Sequence, residues 1–495
     1  MKGDKELKRI DIRSEKNLTM LVDFYELTMM NGYLLNDVAN KQVVFDVFYR
    51  KNPDNGGYAI MCGLQEIVEY INDLHFDEDD INYLRSKGIF SEEFLEYLKN
   101  YKFTGDIYAI PEGTPVFPYE PLITVKANIM DAQLIETMLL LTINHQSLIA
   151  TKAYKIKAAA GDRLVMEFGG RRSHGISAAI EGARAAYIGG VDATATTLAD
   201  QQYGVPAVGT IAHSWIQLFG NDYDAMKACA KAYPDNCSYL VDTFDVLNSG
   251  IPAVIKVNDE ILKPQGKYVK SVRLDSGDLA YLTKKMRKML DDAGMEKTKI
   301  IVSNSLDEKL ISDLLSQDAP IDSFGVGERL ITAKSDPVFG GVYKLAAVEE
   351  NGVFESRIKI SENVEKITNP GFKKVYRLYD NETKKAIADV ITFKDEIIDD
   401  SKPYEIFDPI YIWKKQTLEN FTAVELQVPI FVNGKQVYDL PDIKEIREYR
   451  EKQMETLYEE VKRLLNPHIY YVDLSKDLWF KKQEMLMKSK YTKEK

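Results

Sequence analysis

Cysteine is scarce in this chain: its 495 residues hold three, Cys62, Cys229 and Cys237. They have no Cys-x-x-Cys spacing and no nearby histidine, so they fit neither a zinc site nor a secreted disulfide framework. Long apolar runs are also missing. No uninterrupted stretch approaches the ~18–20 residues that span a bilayer, and the opening MKGDKELKRIDIRSEKN has no apolar signal core. A cytoplasmic protein that does not enter membranes is expected. Basic charge is in deficit, with 64 Lys and Arg against 76 Asp and Glu and a formal net charge of −12. A surface of that sign repels nucleic acid and anionic lipid, yet leaves room for a local basic pocket that holds a small anion.

What is present is the composition of an ordinary folded chain, 45% hydrophobic and 28% charged. The length is enough for roughly two to four domains. The rhythm changes near residue 150 and again near 340, where hairpin signals flank a segment of alternating strands and helices. This divides the chain into an N-terminal α/β part over 1–145, completed by about 341–400, a central part over 146–340 and a C-terminal hairpin and helical extension over 401–495.

In the first part a helix is read around Leu21 to Leu35. In QVVFDVFYRKNPDNGGYAIMCG, Asn55-Gly56-Gly57 separates two β-rich runs as a hairpin turn does. From 150 to 340 the strand-like runs LVMEFGGRRS, AYIGGVDAT, PAVGTIAHS, YLVDTF, VKSVRLDSGD, KIIVSNS and DSFGVGE recur, each closing on polar or glycine residues. Helices follow several of them. In DLAYLTKKMRKMLDDAG, Leu279, Leu282, Met286 and Leu290 share a face, Asp278 caps the start and Gly294 closes the end. The next helix carries a Ser305-to-Glu308 capping box. Roughly seven such units imply a parallel sheet with right-handed crossovers, and an α/β barrel is favoured over an open sheet.

A barrel gathers its chemistry at the C-terminal ends of its strands. The residues there are Glu167, Phe168, Arg171, Arg172, Asp192, Thr194, His213, Ser214, Asp242, Arg273, Asp275, Ser303, Asn304, Gly325 and Gly327. The paired arginines after Gly169-Gly170 offer planar forks to a carboxylate or phosphate. Gly325-Val326-Gly327 suits backbone approach to phosphate oxygens. Asp275 suits a ribose hydroxyl or a magnesium ion, and His213 projects from the strand end at Gly209-Thr210. Each alone also has a plain reading: a surface ion pair, a turn, a packed histidine.

Together the segments VDFYELTMMNGY, EFGGRRSHG, EGARAAYIGGVDAT, GTIAHSW, VRLDSGDL, VSNSLDE and FGVGERLITAKSDPVFGGVYKL resemble the nicotinate phosphoribosyltransferase family, in order, from near residue 22 to 345. The resemblance covers about two-thirds of the chain. It implies a type II phosphoribosyltransferase fold: an irregular α/β barrel, an α/β sandwich-like domain built from the N-terminal part and the post-barrel segment, and a homodimer with active sites at the subunit interface. It implies an ATP-dependent enzyme of NAD biosynthesis that salvages nicotinate, with phosphoribosyl pyrophosphate, ATP and Mg2+ as its other reactants.

Carried over residue by residue, Tyr25 is the aromatic that a neighbouring subunit contributes and Phe168 its stacking partner across the pyridine ring. Arg171 pairs with the nicotinate carboxylate or a substrate phosphate, and Arg172 and Arg273 add positive charge. Asp275, with magnesium, serves the oxocarbenium-like sugar and the departing pyrophosphate. His213 of GTIAHSW matches the histidine that is phosphorylated by ATP. Ser214 and the Gly325 to Gly327 loop supply further donors, and Asp192, Ser303 and Asn304 complete the substrate pocket.

The chain departs from the family pattern at Ser173-His174 and at Glu328, a carboxylate beside the expected phosphate cradle that must turn away or pair with Arg329 or a metal. Some relatives bind zinc near the C-terminus; here Cys237 and His468 alone make no ligand set, and no zinc is expected. After residue 345, Asn351-Gly352 and Asn433-Gly434 mark hairpins. A helix near 441–466 aligns Met454, Leu457, Val461 and Leu464 as core, and KKQEMLMKSKYTKEK reads as a solvated tail. Nicotinamide or quinolinate phosphoribosyltransferase, a sugar-phosphate barrel lyase or isomerase, and a silent binding protein remain as other readings.

Overall fold

The computed structural model describes residues 17–411 and 413–491. Most of the opening segment and the last four residues of the Lys-rich end therefore lie outside the described residues. Among the described residues no helix is long and apolar enough to cross a membrane. The described residues separate into two compact units, one over 152–337 and the other over 17–151 and 338–491.

The 152–337 unit is built on six parallel strands: β1 (Leu164–Glu167), β2 (Ala193–Thr194), β3 (Ser238–Leu240), β4 (Ser271–Leu274), β5 (Lys299–Ser303) and β6 (Ser323–Val326). They form one curled sheet in the order β2-β1-β6-β5-β4-β3. Val165, Val272, Leu274, Ile300, Val302, Phe324 and Val326 are all fully buried. That is why these runs read as nearly continuous apolar stretches: parallel strands are covered on both faces.

The run PAVGTIAHS does not add a strand. Only Ala207 forms an isolated parallel bridge, to Thr194, before the chain turns irregular and enters the helix His213–Phe219. Pro206 and Gly209 interrupt any ladder there. The helix Leu279–Asp292 behaves as read: Asp278 accepts from the Tyr281 N–H, Met286 and Leu290 are buried, and Gly294 takes φ +71° beyond the end. The helix Glu308–Ser316 is capped differently. Asp307, not Ser305, accepts from the Leu310 N–H, and Glu308 is turned to a buried ion pair with Lys152.

The other unit contains two larger sheets. One has seven antiparallel strands in the order Val353–Ser356, Val342–Glu350, Gln42–Phe48, Ile123–Asn128, Asp106–Ala109, Val428–Val432 and Lys435–Gln436. The Asn351-Gly352 and Asn433-Gly434 hairpins are present, with φ positive at all four residues as a type I′ turn requires. The hairpin expected at Asn55-Gly56-Gly57 is not. Ala59–Ile60 pairs with Pro115–Val116, while Gln42–Phe48 pairs with Ile123–Asn128 and Val342–Glu350. Gly57 instead permits a close approach, since a Cβ there would lie 2.1 Å from the Val461 carbonyl oxygen.

The second sheet is mixed, in the order Lys415–Leu418, Tyr404–Phe407, Val472–Leu474, Ala386–Phe393, Lys373–Asp380 and Phe421–Glu425. Residues beyond 401, expected as a small extension, thus contribute strands to both sheets. The helix expected over 441–466 is broken into Ile443–Glu455 and Glu459–Lys462, with Met454, Leu457 and Val461 buried. The described part of the Lys-rich end continues a helix, Lys476–Tyr491, rather than forming a solvated tail. Lys482 is buried in it, donating to Asn369 Oδ1 and the Pro409 carbonyl.

Candidate functional site

Because the six strands are parallel, their C-terminal ends share one edge of the sheet. At the end of β1, Glu167 is fully buried; it accepts from Thr194 Oγ1 at 2.8 Å and from the Gly169 N–H. Burial raises its pKa above the ordinary carboxylate range. Those bonds tie the Gly170–Arg172 turn to the strand ends. A Cβ on Gly169 would lie 2.6 Å from the Gly327 carbonyl oxygen, and one on Gly170 2.5 Å from Thr196 Oγ1. The turn therefore needs both glycines, and it leaves the side chains of Arg171 and Arg172 exposed.

Phe168 donates its backbone N–H to the Val326 carbonyl at 2.7 Å, and its ring lies over Gly325, 2.6 Å from where a Cβ would be. Gly325 is thus the seat of an aromatic ring. Gly327 precedes the short helix Glu328–Ile331, its carbonyl accepting from Leu330 and Ile331. Glu328 accepts from Ser305 Oγ at 3.2 Å and faces Lys334 at 4.0 Å; Arg329 pairs with Asp307 instead.

Arg273, near the end of β4, is the hub. Its Nε donates to Ser303 Oγ and its Nη1 to Thr210 Oγ1, both at 3.0 Å, while Nη2 lies 3.1 Å from Asp275 Oδ1. The guanidinium sits 5.7 Å from the Phe168 ring centroid. Asp275 Oδ1 also accepts from Ser303, and its Oδ2 lies 3.8 Å from His213 Nε2. Asp242, almost fully buried, accepts from the Asp275 N–H at 3.1 Å through Oδ2. Its Oδ1 has no hydrogen-bond partner and lies 4.0 Å from His213 Nε2. On the other side of the ring, His213 Nδ1 is 3.1 Å from Thr243 Oγ1. Trp215, two residues on, holds this helix by donating to the Ala225 carbonyl at 3.0 Å.

These groups enclose a cavity of about 650 Å3, lined by Phe168, Arg171, Thr196, Thr210, His213, Ser214, Arg273 and Asp275 among others. Six of the residues singled out from the sequence, Phe168, Arg171, His213, Ser214, Arg273 and Asp275, come together here, with Ser303 bonded to Arg273 and Asp275. Arg172, Asp192, Asn304, Gly325 and Gly327 are not among its lining residues. Asp192 is engaged elsewhere: its Oδ2 accepts from Lys157 Nζ at 3.0 Å and the Val165 N–H at 2.9 Å. Asn304 is exposed, at φ +90°. Tyr25 belongs to the other unit, on the helix Phe24–Leu35, and is 44% exposed; burial of its hydroxyl and the nearby Glu136 raise its pKa.

Sequence reasoning passed over Thr196, Thr210 and Thr243. Thr210 lies inside GTIAHSW and Thr243 directly follows Asp242, so adjacency to a strand-end acid or histidine was the available signal. Chemically, the cavity joins a flat ring and two guanidinium groups, suited to a planar anion, to an imidazole flanked by two carboxylates.

Comparison with known proteins identifies the chain's relatives. The model for the nicotinate phosphoribosyltransferase (NAPRTase) N-terminal domain matches residues 20–144, that of the NAPRTase family 164–381 and that of the C-terminal domain 372–482. The chain is 42% identical over 474 residues to nicotinate phosphoribosyltransferase of Bacillus subtilis (strain 168), covering 95% of this chain and 96% of that one. It is 38% identical over 448 residues to nicotinate phosphoribosyltransferase pncB2 of Mycobacterium tuberculosis, covering 90% and 89%. The crystal structure of human nicotinic acid phosphoribosyltransferase superposes with a TM-score of 0.82 at 26% identity, over 94% of this chain and 99% of the human one. On sequence and fold alike, the chain belongs to the nicotinate phosphoribosyltransferase family.

Proposed function

We propose that the chain transfers the phosphoribosyl group of phosphoribosyl pyrophosphate to nicotinate, forming nicotinate mononucleotide and pyrophosphate for NAD biosynthesis, and couples this to ATP hydrolysis through a phosphohistidine at His213. The observation that carries the reading is the cavity in which Phe168, Arg171 and Arg273 stand beside His213, with Asp242 and Asp275 on its Nε2 side.

Phe168 offers a face for the pyridine ring, and a second copy of the chain in a homodimer supplies Tyr25 for the other face. Arg171 meets the carboxylate or a phosphate. Stacking holds the ring nitrogen toward the anomeric carbon, the positioning this reaction needs. As the C–O bond to pyrophosphate breaks, positive charge grows on the sugar and Asp275 faces it, while Arg273 adds charge for the leaving group.

Two carboxylates near Nε2 favour a proton on that nitrogen and repel a phosphoryl group from it. The Nδ1 lone pair, beside Thr243, is then the nucleophile: it attacks the γ-phosphorus as ADP leaves, and water later hydrolyses the phosphoramidate. Among the described residues no group of three or more His, Cys, Asp or Glu forms a metal cage. The unpartnered Oδ1 of Asp242 and Oδ2 of Asp275 nonetheless fit magnesium, which is commonly held by one or two carboxylates plus substrate phosphates. When bound there it neutralises charge on the departing pyrophosphate.

The test is product formation from nicotinate and phosphoribosyl pyrophosphate with and without ATP, for wild type and His213→Ala, with nicotinamide run in parallel. ATP stimulation that is lost in the variant, and no nicotinamide turnover, support the reading. Turnover of nicotinamide alone moves the assignment to the amide enzyme, and no turnover with either base overturns it.

A further inference from the structure

The unit that includes Pro118, Tyr119 and the chain beyond 338 holds a second cavity, of about 700 Å3, lined by none of the residues placed in the transferase site. Its floor is Asp473, in the strand Val472–Leu474, where Leu474 is fully buried on the opposite face. Asp473 is 4% exposed, yet its carboxylate has no hydrogen-bond or ion-pair partner among the described residues. Lys414, whose charge acts on Asp473, is turned to Asp408 at 3.5 Å. Burial, and then Asp408, raise the Asp473 pKa to about 6. A largely buried carboxylate with no protein donor favours a ligand that brings N–H groups to it.

The walls are aromatic. Tyr471 and His468 meet edge to face, centroids 5.9 Å apart, and half-exposed Tyr411 also lines the cavity. The rim carries two cations, each beside a carboxylate that also lines the cavity: Lys414 lies over the Tyr471 ring at 5.5 Å and faces Asp408, and Arg463, more than half exposed, is held only loosely by Glu460 at 3.9 Å. A carboxylate floor, ring walls and two rim cations that a phosphate would draw from Asp408 and Glu460 make a composite recognition surface. The floor accepts from an exocyclic amine, the walls stack a planar heterocycle, and the rim binds phosphate. The volume falls in the range of ordinary ligand pockets.

We propose that this cavity binds a mononucleotide with an amino-substituted base, the amine on Asp473, the ring against Tyr471 and the phosphate between Lys414 and Arg463. None of its lining residues is shared with the transferase cavity.

The test is calorimetric titration of the full chain with AMP, IMP and adenosine. AMP is expected to bind, with IMP, which lacks the amine, and adenosine, which lacks the phosphate, each weaker by about tenfold or more. Asp473→Asn and Lys414→Glu are each expected to weaken AMP by a similar factor, and Arg273→Ala in the barrel to leave it unchanged. Lys414 is half exposed, so its variant keeps the test valid should the buried substitution misfold. Four outcomes overturn the proposal: no AMP binding; equal affinity for IMP; binding that survives both 414 and 473 substitutions, or is lost in Arg273→Ala; and stoichiometric Mg2+ binding alone that disappears in Asp473→Asn, which would make the floor's partner a simple cation.

Discussion

Asp242 Oδ1 stands unpartnered 4.0 Å from His213 Nε2, while its other oxygen is fixed by the Asp275 N–H. In the phosphohistidine mechanism proposed above, this buried acceptor biases the imidazole proton to Nε2 and stabilises the charge that would develop as Nδ1 attacks. Asp242→Asn keeps the shape and removes the charge. Its labelling of His213 from γ-labelled ATP is expected to slow by about 100-fold, a typical size for a lost acid–base partner. The ATP-independent transfer is expected to change much less, and equal loss of both activities would show that Asp242 serves the whole pocket instead.

The Phe168 ring occupies the space a side chain at position 325 would need. Gly325→Ala brings a Cβ to 2.6 Å from Phe168 Cδ2 and 3.3 Å from Ser303 Cβ. Overpacking of this kind costs about 1–3 kcal/mol, seen as a lower melting temperature. Displacing the ring is also expected to raise the nicotinate KM by roughly fivefold, as for a weakened aromatic contact, with the KM for ATP little changed.

This glycine marks where sequence reading ended. The alternation of strands and helices was legible because strands covered on both faces leave unbroken apolar runs. Placement of residues at strand ends then brought Phe168, Arg171, His213, Ser214, Arg273 and Asp275 to one edge. Residue type alone could not separate a strand-end acid that faces the cavity from one that braces the sheet: Asp192 is held by Lys157, from the helix before β1. Nor could a Gly-x-Gly reveal that its first glycine makes room for a ring. The C-terminal part was hardest to read. Val428–Val432 pairs with Asp106–Ala109, and Val472–Leu474 inserts between Ala386–Phe393 and Tyr404–Phe407, pairings set by contacts far apart in the chain.

Glu26 is fully buried, accepting from Thr137 Oγ1 at 2.6 Å through one oxygen and without a partner at the other. Burial, with smaller repulsion from Glu136 and Asp23, raises its pKa from 4.5 to about 8. Between those values the folded state holds a proton that the unfolded state has released, so stability is full below about pH 4.5 and falls as pH rises to about 8. The contribution is on the order of a few kcal/mol. Glu26→Gln cannot titrate. Calorimetric melting from pH 5 to 8 is expected to show the wild type losing stability relative to this variant as pH rises, and a pH-independent gap would refute the assignment.

Arg377 and Asp389 form an ion pair with no exposed side-chain surface, Nε to Oδ1 at 2.9 Å and Nη2 to Oδ2 at 2.6 Å. Arg377 Nη2 also donates to the Pro115 carbonyl at 2.8 Å, and Tyr470 donates to Asp389 at 2.9 Å. The guanidinium sits 5.4 Å from the Phe117 ring centroid and 5.9 Å from that of Tyr470, two rings stacked 3.9 Å apart. Removing one partner strands the other charge in the interior, so Arg377→Met is expected to lower stability in urea by about 3–5 kcal/mol. Arg377→Lys is not conservative here, because an ammonium cannot reproduce the fork that reaches both carboxylate oxygens and the carbonyl. The double variant Arg377→Met, Asp389→Leu is expected to recover much of the loss, since the pair's desolvation cost disappears with the pair. A double variant no more stable than Arg377→Met would mean that the bonds to Pro115 and Tyr470, rather than the unpaired charge, set the cost.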